Sequence, residues 1–156
     1  MEIRKAAASD FEELFKLKLK LKNQDVKVDP YLKSVDEAKD VYGKYLKRDL
    51  EKIDNDRMVL VAVIDGKIVG CIRGTLSRTL HVLNVRFRGT IDNLFMEHKY
   101  RQKGIAKQLV TELISWFKEK KVDVMTLHVY PANANAISLY KKFGFSEYSI
   151  NMTTKL

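Results

Sequence analysis

The sequence predicts a mixed α/β fold, and three observations carry that expectation. Met58 to Ile64 is a β-branched run, followed by Asp65-Gly66 and a second apolar run from Lys67 to about Leu76, the pattern of a hairpin with a tight turn. Thr90 to Tyr130 gives strand, helix and strand signals in turn, a βαβ unit whose crossover is expected to be right-handed. Ahead of both lie two amphipathic segments opening Ser9-Asp10-Phe11-Glu12 and Ser34-Val35-Asp36-Glu37. Both read as Ser-x-x-Glu capping boxes, in which side-chain oxygens satisfy first-turn amides.

The 156 residues suit one domain with a real core, so 1–156 is expected to be a single domain. Apolar content of 46% argues against disorder, and a formal charge of +9 favours anionic partners: ligand phosphates, nucleic acid or a membrane surface. One cysteine, Cys71, excludes an internal disulfide framework and a Cys-rich metal site, and in VGCIRG it reads as a packed thiol. No signal-peptide layout or bilayer-length apolar run is present, which leads to the expectation of a soluble cytoplasmic protein with no membrane partner.

In chain order, Ile3 to Lys5 reads as a short strand and the first helix starts near Asp10, with Phe11, Leu14, Phe15 and Leu21 inward. Lys16, Lys18, Lys20 and Lys22 read as a solvated face near its end. Asn23 to Lys33, with Pro30, reads as a loop. A second helix is expected from Val35 to Ile53, with Val35, Ala38, Tyr42, Tyr45 and Leu50 on one side, broken by Asp54-Asn55-Asp56. After the hairpin, Leu76 to Gly89 fits a hairpin extension, a further strand pair or a basic insertion. Arg73, Arg78, Arg86 and Arg88 lie in or beside it, as exposed edge charge or as contacts to an acidic substrate or subunit.

Thr90 to Glu97 reads as a central strand, a helix follows to about Lys121, and Val124 to Tyr130 reads as a buried strand. Asn133 or Asn135 can cap a last helix to about Lys142, Gly144 can end it in the left-handed region, and Glu147 to Thr154 reads as a final strand.

The helix after the central strand opens differently from the first two. Arg101-Gln102-Lys103-Gly104-Ile105-Ala106-Lys107 has no Ser, Thr, Asp or Asn at the entry, no carboxylate in the first turn, and three cations against the helix dipole. An anion such as a phosphate would satisfy those amides, and Gly104 and Ala106 would let it approach the backbone. A water-capped basic helix start is the alternative. Gly-Lys-Ser/Thr is absent, so this is no Walker loop.

Arg101-Gln102-Lys103-Gly104-Ile105-Ala106 resembles the Arg/Gln-x-x-Gly-x-Gly/Ala signature of the GNAT superfamily of N-acetyltransferases. Asn133-x-x-Ala136-Ile137-x-Leu139-Tyr140-Lys141-Lys142-Phe143-Gly144-Phe145 is similar to the same family's C-terminal segment, at the expected distance. The resemblance implies a GNAT-type acyl-CoA N-acyltransferase fold: a mostly antiparallel sheet with a βαβ unit at the cofactor site, flanked by about four helices. It implies transfer of an acetyl group from acetyl-CoA, as co-substrate, to a primary amine by direct attack in a ternary complex.

Such a reaction needs a held cofactor, a neutral amine, donors for the developing oxyanion and a proton for the departing thiolate. By resemblance, main-chain groups of Leu94, Phe95 and Met96 hold the pantetheine arm and receive the oxyanion. Amides of Gln102, Lys103, Gly104, Ile105, Ala106 and Lys107 take the pyrophosphate, next to Arg101. Asn133 matches a family asparagine on the pantetheine arm, and Tyr140 the tyrosine that protonates the thiolate. Three residues compete as base: Asp92, read by alternation as sharing a face with Leu94 and Met96; His128, an imidazole, the side-chain class most used for proton transfer at neutral pH; and Glu97 at the strand end. His81 and His98 lack metal-ligand spacing, so no metal is expected.

The acceptor stays open among peptide N-termini, lysines and small amines. Family members often dimerise, which the resemblance carries over as a homodimer. An acyltransferase for another acyl-CoA and a basic nucleic-acid or acidic-protein binding module are the competing functions; no RNA-binding aromatic motif supports nucleic acid.

Overall fold

The computed structural model describes residues 1–80 and 82–156. The expectation about His81 therefore falls outside the described residues. Five strands, β1 (Glu2–Lys5), β2 (Arg57–Ile64), β3 (Lys67–Arg78), β4 (Phe87–Met96) and β5 (Val124–Leu127), form one sheet in sequence order. The first four are antiparallel to their neighbours and β5 runs parallel to β4. Helices α1 (Phe11–Asp25) and α2 (Val35–Glu51) cover one face, packing Leu14, Leu17 and Leu46 against Val59, Val61, Ile68 and Phe95. Helices α3 (Ile105–Glu119) and α4 (Ala134–Lys141) lie on the other face, with Leu109, Leu113, Phe117 and Tyr140 against Ile72, Ile91 and Met96.

Local chemistry explains most of the boundaries. Asp65 and Gly66 both take positive φ, 50° and 74°, the conformation that a two-residue hairpin turn requires. The segment left open in the sequence is a second hairpin, with β3 reaching Arg78 opposite Phe87. Helix α3 seats tightly on β4, since a Cβ at Gly89 would lie 2.7 Å from the Phe117 ring. Gly144, at φ 85°, follows α4 in the left-handed region as expected.

Several expectations are corrected. The Ser34 box forms, with Ser34 Oγ accepting from the Glu37 amide at 3.4 Å and Glu37 Oε2 accepting from the Ser34 amide at 3.1 Å. The Ser9 box does not. Asp10 is drawn back instead, accepting from the Ala7 amide at 2.7 Å and from both Arg4 terminal nitrogens at 2.6 and 2.9 Å. Those bonds hold the Asp10 carboxyl below its usual range, the Arg4 bond contributing most. On α2, Tyr45 is exposed and Leu46 is buried in its place.

The lysines of α1 are not one solvated face either. Lys18 is half-buried, and burial pushes its ammonium pKa down; Lys20 pairs with Glu97, and Lys22 with Asp25. Strand β5 stops at Leu127 rather than Tyr130 and is half-buried, because it pairs on only one side. The expected final strand is absent: residues 146–156 take no regular structure, and Tyr148, Ile150 and Met152 are exposed. Their alternation supplies a strand face, but the segment does not pair, and the outer edge of β5 stays open.

Candidate active site

Pairing between β4 and β5 runs from Arg88 opposite Val124 to Ile91 opposite Leu127 and stops, while β4 continues along β3 to Met96. The side of β4 that faced β5 therefore has no strand partner from Asp92 onward. Glu97 donates its amide to the Val69 carbonyl across β3 at 2.9 Å. Backbone groups alternate sides along an antiparallel strand, so Leu94 and Met96 turn theirs toward the gap and Phe95 toward β3. The Met96 carbonyl there accepts Arg101 Nε at 3.0 Å, which ties the basic turn to the strand end.

A bulge sits at the head of this gap. Between the pairs Arg73–Asp92 and Cys71–Phe95, Ile72 on β3 faces both Asn93 and Leu94, and Asn93 takes φ 49°. The extra residue reverses the alternation. Ile91, Leu94 and Met96 face the α3 side and Phe95 the α1 side, so Asp92 does not share a face with Leu94 and Met96 as expected. Asp92 turns to the α2 side, accepting from Arg73 at 2.7 Å and Thr75 Oγ1 at 3.4 Å.

The turn into α3 lies beside the same strand end. Gly104 caps the helix at φ 77°, Gln102 is also left-handed at 61°, and neither a side-chain cap nor an acidic first-turn residue is present. The first amide of this region to bond is Gln108, to the Gly104 carbonyl at 3.2 Å. Six consecutive amides, Gln102 to Lys107, find no acceptor among the described residues. A Cβ at Gly104 would meet nothing within 4 Å, so the space above these amides is open. Lys103 lies 5.5 Å from the Tyr100 ring centre, and Lys107 is exposed on the first turn. Donors, dipole and cations together make a cradle for a phosphate.

Asn133 caps α4, its Oδ1 accepting from the Ala136 amide at 3.2 Å, and its side-chain NH2 is left to donate. Tyr140 is 8% exposed and edge-on to Phe145 at 5.7 Å. Burial, reinforced by nearby Asp92, pushes its pKa up to about 12, so the phenol stays protonated through the physiological range. Burial also raises the Asp92 pKa against the opposing pull of Arg73. His128 is exposed, and Glu97 is paired with Lys20. Cys71 is pushed up to about 12 by burial, consistent with a packed thiol.

Sequence reasoning missed a charged chain behind Asp92. Asp49, 2% exposed, accepts from Arg57 at 3.0 Å and from Arg73 at 2.7 and 3.0 Å, and Arg73 reaches on to Asp92. Arg73 is thus no edge charge but the link between a buried carboxylate and the gap. The signal was present: Asp49 lies three residues after Leu46, and Lys18 four after Leu14, on inward helix stripes.

The model of the acetyltransferase (GNAT) family matches residues 24–145. The chain belongs to the GNAT family. N-alpha-acetyltransferase MAK3 of Arabidopsis thaliana is 34% identical over 92 residues, covering 57% of this chain and 45% of the relative. The chain spans less than half the length of the first curated relatives it matches. Two solved structures cover nearly the whole chain. A mutant of the BH1408 protein from Bacillus halodurans has a TM-score of 0.82 at 24% identity, over 100% of this chain and 99% of that one. A predicted acetyltransferase from Clostridium acetobutylicum, solved with acetyl-CoA, has 0.77 at 19%, over 99% and 95%. Both share the GNAT fold with this chain. Among the described residues no helix is long and apolar enough to cross a membrane, and no cluster of three metal-ligating side chains occurs.

Proposed function

We propose that the chain, acting as one domain over residues 1–156, is an acetyl-CoA-dependent N-acetyltransferase that acetylates a primary amine by direct attack in a ternary complex. The observation that carries this reading is the row of six unaccepted amides, Gln102 to Lys107, in the turn that Arg101 ties to the end of β4 where its β5 side is unpaired. Acetyl-CoA supplies an activated acyl group and a thiolate that departs. The residues fit it, because the cradle has donors in excess and open space above Gly104.

Amides of Gln102 to Lys107 hold the pyrophosphate, with Lys103, Lys107 and the terminal nitrogens of Arg101 adding charge. The Asn133 NH2 and the backbone of Leu94, Phe95 and Met96 orient the pantetheine arm. Within that strand the gap-facing amides of Leu94 and Met96 are the donors available for charge developing on the acyl oxygen. Tyr140 holds a proton in a desolvated position next to the gap and donates it to the leaving sulfur. Asp92, with its raised pKa at the bulge, is the favoured acceptor for the amine proton. His128, exposed on the facing chain, and Glu97, past the end of β4, rank behind it. The name of the Arabidopsis relative favours an N-terminal amine as acceptor. The test is thiol release from acetyl-CoA across peptide, lysine and small-amine acceptors; no release with any of them at saturating acetyl-CoA overturns the reading.

A further inference from the structure

The sheet face away from α3 carries a polar stripe that begins beside α2, at Arg73 and Asp92, and continues along β3 and β4. Register places Ser77 beside Arg88, Thr75 beside Thr90 and Arg73 beside Asp92 across β3 and β4; Arg88 neighbours Val124 and Thr90 neighbours Thr126 across β5. Side-chain contacts hold to the same face: Thr75 Oγ1 reaches Asp92 at 3.4 Å, and the Thr90 and Thr126 hydroxyls lie 3.5 Å apart. The intervening residues Gly74, Gly89 and Ile91 turn to the α3 side. Threonines on a half-solvated sheet face need no ligand.

Arg88 is different. Its Nε is buried with no hydrogen-bond partner, and its guanidinium joins no ion pair among the described residues. Arg73, in contrast, is fully engaged by Asp49 and Asp92. A desolvated guanidinium nitrogen without a partner is costly, and such groups in folded proteins are normally satisfied. The bonding geometry that completes an arginine is a carboxylate or phosphate.

We propose that Arg88 selects the acceptor: an amine whose nitrogen lies at the Asp92–Leu94 bulge and whose acidic group, carboxylate or phosphate, is received by the Arg88 guanidinium. The amine end rests on the acetyltransferase reading; the acid end does not. Four residues of strand separate Arg88 from Asp92, about 13 Å, and the arginine side chain shortens that span to roughly 7–13 Å. The acceptor is therefore extended, and in a peptide the acid falls at the second to fourth residue.

The test titrates three tetrapeptides, alike except for Gln, Glu or phosphoserine at the third position, into the protein with CoA present and absent, and repeats the series with Arg88→Gln and Arg88→Lys. The acidic peptides should bind roughly ten- to a hundredfold tighter than the Gln peptide, the size of a charge-assisted hydrogen bond. Arg88→Gln should abolish that preference and Arg88→Lys restore part of it, with unchanged melting temperatures. The Glu and phosphoserine arms decide which acid is read. Equal binding of all three peptides to the unaltered protein, or a preference that survives Arg88→Gln, overturns the proposal. Failure of acetyl-CoA to bind while the preference persists overturns the acetyltransferase reading and leaves this one standing.

Discussion

Helices α2 and α3 solve the same problem in opposite ways. Each must satisfy amides that lack a partner in the preceding turn. At α2 the cap is Ser34, the second helical residue is Asp36 and the third is Glu37, so the Ser34 and Glu37 amides are bonded by side chains and the first-turn charge suits the dipole. At α3 the corresponding positions are Gly104, Ala106 and Lys107, and six amides stay open under a positive field. One start is closed by its own side chains and serves the fold. The other forgoes that stabilisation and serves a ligand.

Placing a carboxylate where the pyrophosphate sits should break the comparison most sharply. Gly104→Glu should reduce acetyl-CoA affinity by more than about a hundredfold, measured calorimetrically, through the bulk and negative charge it adds to the cradle. Its folding cost should be about 1 kcal/mol, since φ 77° strains any side chain while the Cβ itself meets nothing. Unchanged affinity would mean that α3 is only a basic helix start. Tyr140→Phe should leave acetyl-CoA affinity alone and lower kcat about a hundredfold if the hydroxyl donates the leaving-group proton. Equal turnover would return Tyr140 to the core.

Lys107→Glu makes the third position of α3 match that of α2. It should raise stability by about 0.3–1 kcal/mol in thermal unfolding while weakening acetyl-CoA by about tenfold, trading function for fold. A gain in affinity would contradict the anion cradle. Ser34→Ala should do the reverse, costing about 1 kcal/mol, or about 2–4 °C of melting temperature, with acetyl-CoA affinity unmoved. A loss of affinity there would show that the two helix starts are coupled.

What was legible in the sequence follows the same divide. Asp65-Gly66 fixed a hairpin because its backbone chemistry is local, and the missing cap at Arg101 to Lys107 was visible because the first turn is only a few residues long. The Asn93 bulge was not legible. Strict alternation assumes no inserted residue, so Asp92 was assigned the wrong face, and only pairing with β3 reveals the slip. The Asp49–Arg73–Asp92 chain was hidden because a charged residue is read as exposed unless a partner from another element is known. Ser9 looked like a cap, but it lies inside a 3-10 turn, Ala8–Asp10, that Arg4 pins through Asp10, and α1 starts only after it. Tyr148, Ile150 and Met152 alternate like a strand, yet periodicity states which face is apolar and not whether the segment docks on an edge, and here the outer edge of β5 stays unpaired.

The most direct measurement is calorimetric titration of acetyl-CoA into the unaltered protein, with dephospho-CoA and a longer acyl-CoA alongside. The account predicts saturable one-site binding at micromolar concentration, dependent on the α3 cradle and weakened by salt. No binding at millimolar acetyl-CoA would contradict it and would leave the open start of α3 without its ligand.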